Sequence, residues 1–136
     1  MRRKYLLIAG IVWVSLIGMG LYVYYKSHSG AAHGGADIVT DAESLYREFQ
    51  QDETAANKKF LDKIIEVKGV VADGQRSPNM SSLQLNAGEG PGRINCSLSN
   101  SATHLQIPAM GTAITVKGKY AGFLMDVNLV DCVVYP

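Results

Sequence analysis

The chain has few residues that could do chemistry. Cys96 and Cys132 are its only cysteines, and an even count of two permits one bridge. A redox-active pair would stand closer in sequence than these two do. His104 is the one histidine in the folded part, with no cysteine or clear aspartate partner to complete a triad. Ser97, Ser99 and Ser101 follow no Gly-x-Ser-x-Gly pattern. Asp126 and Asp131 read as ordinary turn or edge carboxylates rather than an acid/base pair. Gly88-x-Gly90-x-Gly92 would hold a phosphate only if a helix followed; a strand follows instead, and Glu89 has the wrong charge. A hairpin turn is the reading there. His28 and His33 lie on a stretch without bulk, short of the three or four fixed ligands a metal needs. No cofactor, no metal and no enzymatic activity are expected.

These residues are carried by a chain of two unlike parts. Residues 5–25 contain no charge, and Arg2, Arg3 and Lys4 precede them. As a helix this run would rise roughly 31 Å, enough to cross a hydrocarbon core of about 30 Å. The basic block puts residues 1–4 in the cytoplasm and the domain beyond the apolar run on the far side of the membrane. A secretory signal has the same charge order, but its apolar region is shorter, about 7–15 residues. The expectation is a single-pass anchor in the inner membrane. Residues 26–36, rich in Gly, Ala, Ser and His, form a flexible linker, and residues 37–136 form the extracytoplasmic, periplasmic domain.

The domain opens with a helix. Thr40 as N-cap and Glu43 three residues on make a capping box, and Leu45, Phe49 and Phe60 fall on one apolar face. The helix either runs to Lys63 or breaks near residues 52–54. After Asp62 the hydrophobic period changes to two, and five strands follow. In the fourth, Ile114, Val116, Gly118 and Tyr120 alternate; in the fifth, Asn128 and Asp131 fall on opposite phases, which predicts a bulge near Val130. The first and fourth strands share a motif: Ile65-Glu66-Val67-Lys68-Gly69 and Ile114-Thr115-Val116-Lys117-Gly118. Glycine inside a strand marks a bulge or a sharp coil. One helix before five short, coiled strands predicts a mainly β fold with an OB-type barrel. A five-stranded sandwich is the alternative.

In such a barrel the third and fifth strands are neighbours, so a Cys96–Cys132 disulfide is expected in an oxidising compartment. It would close a loop of about 36 residues and stabilise by roughly 3–4 kcal/mol. The alternative is two buried thiols acting as small hydrophobes.

From Asp41 to Val134 the chain resembles the bacterial tRNA-anti-like OB-fold family of small exported or membrane-anchored proteins. The resemblance rests on residues 41–46, the strand 65–71, and the segments 94–98, 116–123 and 127–132. It implies the OB fold and carries over no activity. Many members look like lipoproteins; this chain has a helix anchor in place of a lipid-modified cysteine.

Charge narrows the partners. From Asp37 onward nine Lys and Arg stand against twelve Asp and Glu, a net of −3, and the whole-chain +1 comes from the basic residues flanking the anchor. Nucleic-acid binders need a positive groove and aromatic platforms. Only Tyr120, Phe123 and Tyr135 are aromatic after Lys63. The expectation is a non-catalytic binding module for an envelope protein or small ligand. Lys68, Lys117, Tyr120 and Phe123 form its expected binding face, and residues 76–82 and 88–93 its loops. Single-stranded nucleic acid is the alternative ligand.

Overall fold

A computed structural model describes residues 2–28, 34–99 and 106–135. The first element is α1 (Arg2–His28), whose side chains are described for Lys4 and residues 8–24. Among the described residues, no helix is long and apolar enough to cross a membrane. The uncharged run 5–25 extends past the described side chains at both ends.

The remaining elements are β1 (Ile38–Asp41), α2 (Ala42–Gln51), α3 (Glu53–Phe60), β2 (Ile64–Arg76), β3 (Ser81–Asn86), β4 (Arg93–Leu98), β5 (Ala113–Leu124) and β6 (Asp126–Tyr135). Five of the strands close a barrel in the order β2-β3-β4-β6-β5, with β5 pairing back onto β2. This is the OB-type closure that the strand pattern predicts. Closure works because β2 is long: residues 64–70 pair with β5, and residues 71–76 pair with β3 after a register shift between Val71 and Asp73. The sixth strand, β1, was not legible in the sequence. It lies parallel to the first half of β2, Ile38 opposite Ile65 and Asp41 opposite Lys68.

Of the two courses left open for the soluble helix, the break near residues 52–54 is the one observed. Asp52 ends α2 with its backbone N–H donating to Glu48 O, and its side chain accepts from Ala55 N at 3.0 Å to begin α3. The N-cap of α2 is Asp41, not Thr40. The Asp41 carboxylate accepts from Ser44 N and Ser44 Oγ, both at 2.8 Å, at the very end of β1. Those hydrogen bonds hold the Asp41 carboxyl below its ordinary value. An aspartate in this position is a stronger acceptor than a threonine hydroxyl and also meets the positive end of the helix.

The two motif copies lie against each other. Antiparallel register sets Ile65 opposite Gly118, Val67 opposite Val116 and Gly69 opposite Ile114. The motif thus pairs with itself about the Val67–Val116 position. The bulge expected near Val130 falls at residues 130–131. Asp131 takes a left-handed φ of 53°, and the register of β6 slips against both neighbours there. The extra residue returns Cys132 to the inward phase, where it is fully buried.

Inside the barrel Phe49 of α2 stacks on Phe60, Tyr120 and Phe123 with centroids 5.5, 5.3 and 4.9 Å apart. The helices thus contribute Phe49 and Phe60 to an aromatic cluster completed by Tyr120 and Phe123 of β5, above a core built largely from Ile, Leu and Val of the strands. Burying a phenylalanine like this contributes about 1.5–3 kcal/mol by area alone.

Candidate ligand-binding face

The four residues expected to form a face do not come together. Tyr120 follows the inward phase of β5 and is buried, its hydroxyl donating to Asn57 Oδ1. Burial, and then the nearby Glu53 carboxylate, raise its hydroxyl above its ordinary value. Phe123 packs against the same core. Lys117 points outward, but its Nζ donates to Gly34 O at 2.9 Å and lies 5.4 Å from the Tyr135 ring centroid. Only Lys68 is exposed and open to solvent. The lysine of one motif copy is therefore engaged while that of the other is not.

The expected disulfide is also corrected: Cys96 and Cys132 are free, buried thiols. The parallel pairing of β4 and β6 opposes Cys96 to Leu129, and the bulge carries Cys132 on to face Leu98. The neighbouring Cys96 thiol and then burial raise the Cys132 thiol well above its ordinary value. Both thiols act as small core hydrophobes, the alternative reading of the pair. Gly118 makes room for them, since a Cβ there would come within 2.5 Å of Cys132 Sγ. His33, Ser101 and His104 lie outside the described residues, as does the His28 side chain.

The glycine-rich segment 88–92 joins antiparallel β3 and β4, as a hairpin should. Gly88 has φ 98°, and Gly92 lies so close under the Tyr46 ring that a Cβ would meet it at 2.2 Å. Beside this turn runs an open groove of about 540 Å³, where β1 ends at Asp41 and β3 ends at Asn86. Its floor is Lys68, Gly69 and Val70. Lys68 and Arg93 are balanced there by Asp41, Glu43 and Glu89. Such mixed charge gives no field to track a phosphate backbone.

A more ordered surface lies on the outside of β3, β4 and β6. Leu83, Leu85, Ile94, Cys96, Val127 and Leu129 point inward and are buried. Alternation then sends Gln84, Asn95 and Asn128 outward. The registers align them: Asp73 of β2 faces Gln84, Gln84 faces Asn95, and Asn95 faces Asn128. The result is one polar row across four strands. A second row sets Gln75 opposite Ser82 and Ser82 opposite Ser97. Asn95 Nδ2 donates to Asp126 Oδ2 at 3.4 Å and Asn128 Oδ1 at 3.3 Å, and Asn128 Nδ2 donates to Asp126 O at 3.2 Å. Asp126 is itself held by Arg93 N at 2.9 Å. The two asparagine amides are thus held in fixed orientations. Asn95 Oδ1 is buried and accepts no hydrogen bond among the described residues. The signal for this face was present in the sequence: Ser82-x-Gln84-x-Asn86 and Arg93-x-Asn95-x-Ser97 alternate with the apolar residues. Reading only the apolar phase passes over it.

Comparison with known proteins agrees with the geometry. The family model tRNA_anti-like matches residues 1–134. No curated protein sequence matches the chain. Among solved structures, a lipoprotein of Klebsiella pneumoniae, proposed to bind nucleic acid, superposes with a TM-score of 0.62 at 14% identity. The match covers 72% of this chain and 91% of that one. Yeast Stn1 and Ten1 match with a TM-score of 0.42 at 15% identity, covering 76% of this chain and 65% of that one.

Proposed function

The chain belongs to the tRNA_anti-like family, and from that premise we propose that it is a non-catalytic binding module with an OB-type barrel, held at the inner membrane by α1. The barrel stands on the extracytoplasmic side and takes a ligand on the polar face of β3, β4 and β6. One observation carries the anchor. The large apolar side chains of α1 from Ile8 to Tyr24 are each more than half exposed, on every side of the helix. A helix that is apolar all round is stable in a core or in a bilayer. The described stretch rises about 26 Å and the whole uncharged run roughly 31 Å, against a hydrocarbon thickness of about 30 Å. Arg2, Arg3 and Lys4 favour a cytoplasmic N-terminus.

The test is a reporter fused after Pro136, together with alkaline extraction of membranes. A reporter active only outside the cytoplasm, on a full-length product that resists extraction, is the expected result. A reporter active in the cytoplasm would reverse the orientation. A shortened, soluble product would make the apolar run a signal peptide.

Single-stranded nucleic acid is the second reading, and the role proposed for the Klebsiella lipoprotein favours it. The net charge of −3 after residue 36 opposes it, as does the interior position of Tyr120. Retention of an oligothymidylate at low salt would raise this reading above the first.

A further inference from the structure

We infer that the polar row Asp73–Gln84–Asn95–Asn128 is a binding site for a neutral oligosaccharide. The inference rests on the reading of this face as the ligand face and names the chemistry of its ligand.

The row is built from groups that match hydroxyls. A carboxamide offers both a donor and an acceptor, as each sugar hydroxyl does. Three carboxamides stand in register on neighbouring strands. Strands lie about 4.8 Å apart, so the row from β2 to β6 runs roughly 14 Å, long enough for a short saccharide chain. A small crevice of about 60 Å³, lined by Asp73, Gly74, Gln75, Ser82 and Gln84, opens at one end. At the other end the row meets Gly122, which has no side chain to block it.

One acceptor of the row is left over, Asn95 Oδ1. It is buried without a hydrogen-bond partner among the described residues, although the Nδ2 of the same amide is doubly engaged. Because none of that oxygen's surface is exposed, a ligand cannot reach it as the side chain stands; the carboxamide of the row that lines open space is Gln84, at the crevice. Charge points to a neutral ligand. The row carries no cation, and Asp73 lies in it with Asp126 directly behind. Arg93 Nη1 donates to Gly90 O and Gly92 O and is turned into the hairpin. No aromatic ring lies in either polar row. A nucleic acid would find neither phosphate partners nor stacking platforms there.

The test uses the full chain in phospholipid nanodiscs, because sugar-based detergents would compete. Maltotetraose, cellotetraose and tri-N-acetylchitotriose are titrated by calorimetry and by saturation-transfer NMR, with an oligothymidylate in parallel. At least one saccharide should bind, with an affinity unchanged by added salt. Asn95→Ala and Gln84→Ala should each weaken it about tenfold, or about 1.4 kcal/mol. The Gln84 variant keeps the Asp126 network intact and serves if Asn95→Ala unfolds. No binding of any saccharide at about 10 mM, a level that detects even millimolar affinities, would overturn the inference. Binding indifferent to both substitutions would also overturn it, as would salt-sensitive oligothymidylate binding lost in the same variants. The topology assay is independent: an anchored, exported chain that takes no saccharide refutes this inference alone.

Discussion

The two copies of the Ile-x-Val-Lys-Gly motif have nearly the same sequence and very different surroundings. Both make strands, both bury their Ile and Val, and they pair with each other. Beyond that they part. The first copy, in β2, has β1 on its other side and α2 above it, so Gly69 lies near Ala42 Cβ and Leu85. The second copy, in β5, has β6 on its other side, and Gly118 lies against Cys132 at the β6 bulge. Lys68 is exposed in an open groove, while Lys117 is tied to Gly34 O. The comparison teaches that a local motif sets the strand and its ladder. The duty of each side chain comes from whatever the rest of the chain places next to it.

Substitutions can break this comparison in graded steps. The largest effect should come from Gly118→Ala. The new methyl would meet a buried sulfur at 2.5 Å, and overpacking of this kind costs about 1–3 kcal/mol. Adding Cys132→Ala should restore part of the loss, which a double-mutant cycle from urea unfolding would measure. Without such coupling, the contact with Cys132 does not explain Gly118. Gly69→Ala should cost clearly less, because its nearest contacts are 3.1–3.4 Å and a strand gains from losing glycine's freedom.

Next in size is Asp41→Ala, which removes the α2 cap beside the first copy only. The expected loss is about 1 kcal/mol near neutral pH. The Asp41 carboxyl is held below its ordinary value of 3.8. Its stabilisation is therefore fully present above that value and fades as pH falls through the lower folded value. The gap between wild type and variant should close in acid; a gap constant down to the acid limit would show that the charge of Asp41 is not responsible.

The smallest effect should be at the lysines. Lys68→Gln should leave stability within about 0.5 kcal/mol, as expected of an exposed side chain without a special contact. Lys117→Gln should cost slightly more, through Gly34 and Tyr135. Equal effects would remove the distinction between the two copies at this position.

Much of the fold was legible. Strand phases read from alternation place Leu83, Leu85, Ile94, Cys96, Ile114 and Val116 inside, and all are buried. The same alternation already put Tyr120 in the inward phase with Gly118. Choosing it for a binding face set composition above periodicity, and the structure corrects that choice. β1 was missed because four residues are too few for a period to register, and its partner lies 27 positions away. The cap was displaced by one residue because Thr40 and Asp41 are both good caps, and only the folded backbone brings the Asp41 carboxylate, not the Thr40 hydroxyl, to Ser44 N.

What the sequence by itself determined is what depends on near neighbours. These are the uncharged run behind a basic block, the helical face of Leu45 and Phe49, the strand periods and the bulge between Asn128 and Asp131. Only the tertiary structure decided which strands meet and in what register. That register opposes Cys96 to Leu129 rather than Cys132. It also sets Gln84, Asn95 and Asn128 in one row. The reason is physical. A strand's period of two assigns each residue to a face but says nothing of its partner across the ladder, and a shift of one residue would exchange the faces entirely. Barrel closure and the β6 bulge choose that register, and with it the polar row across β3, β4 and β6.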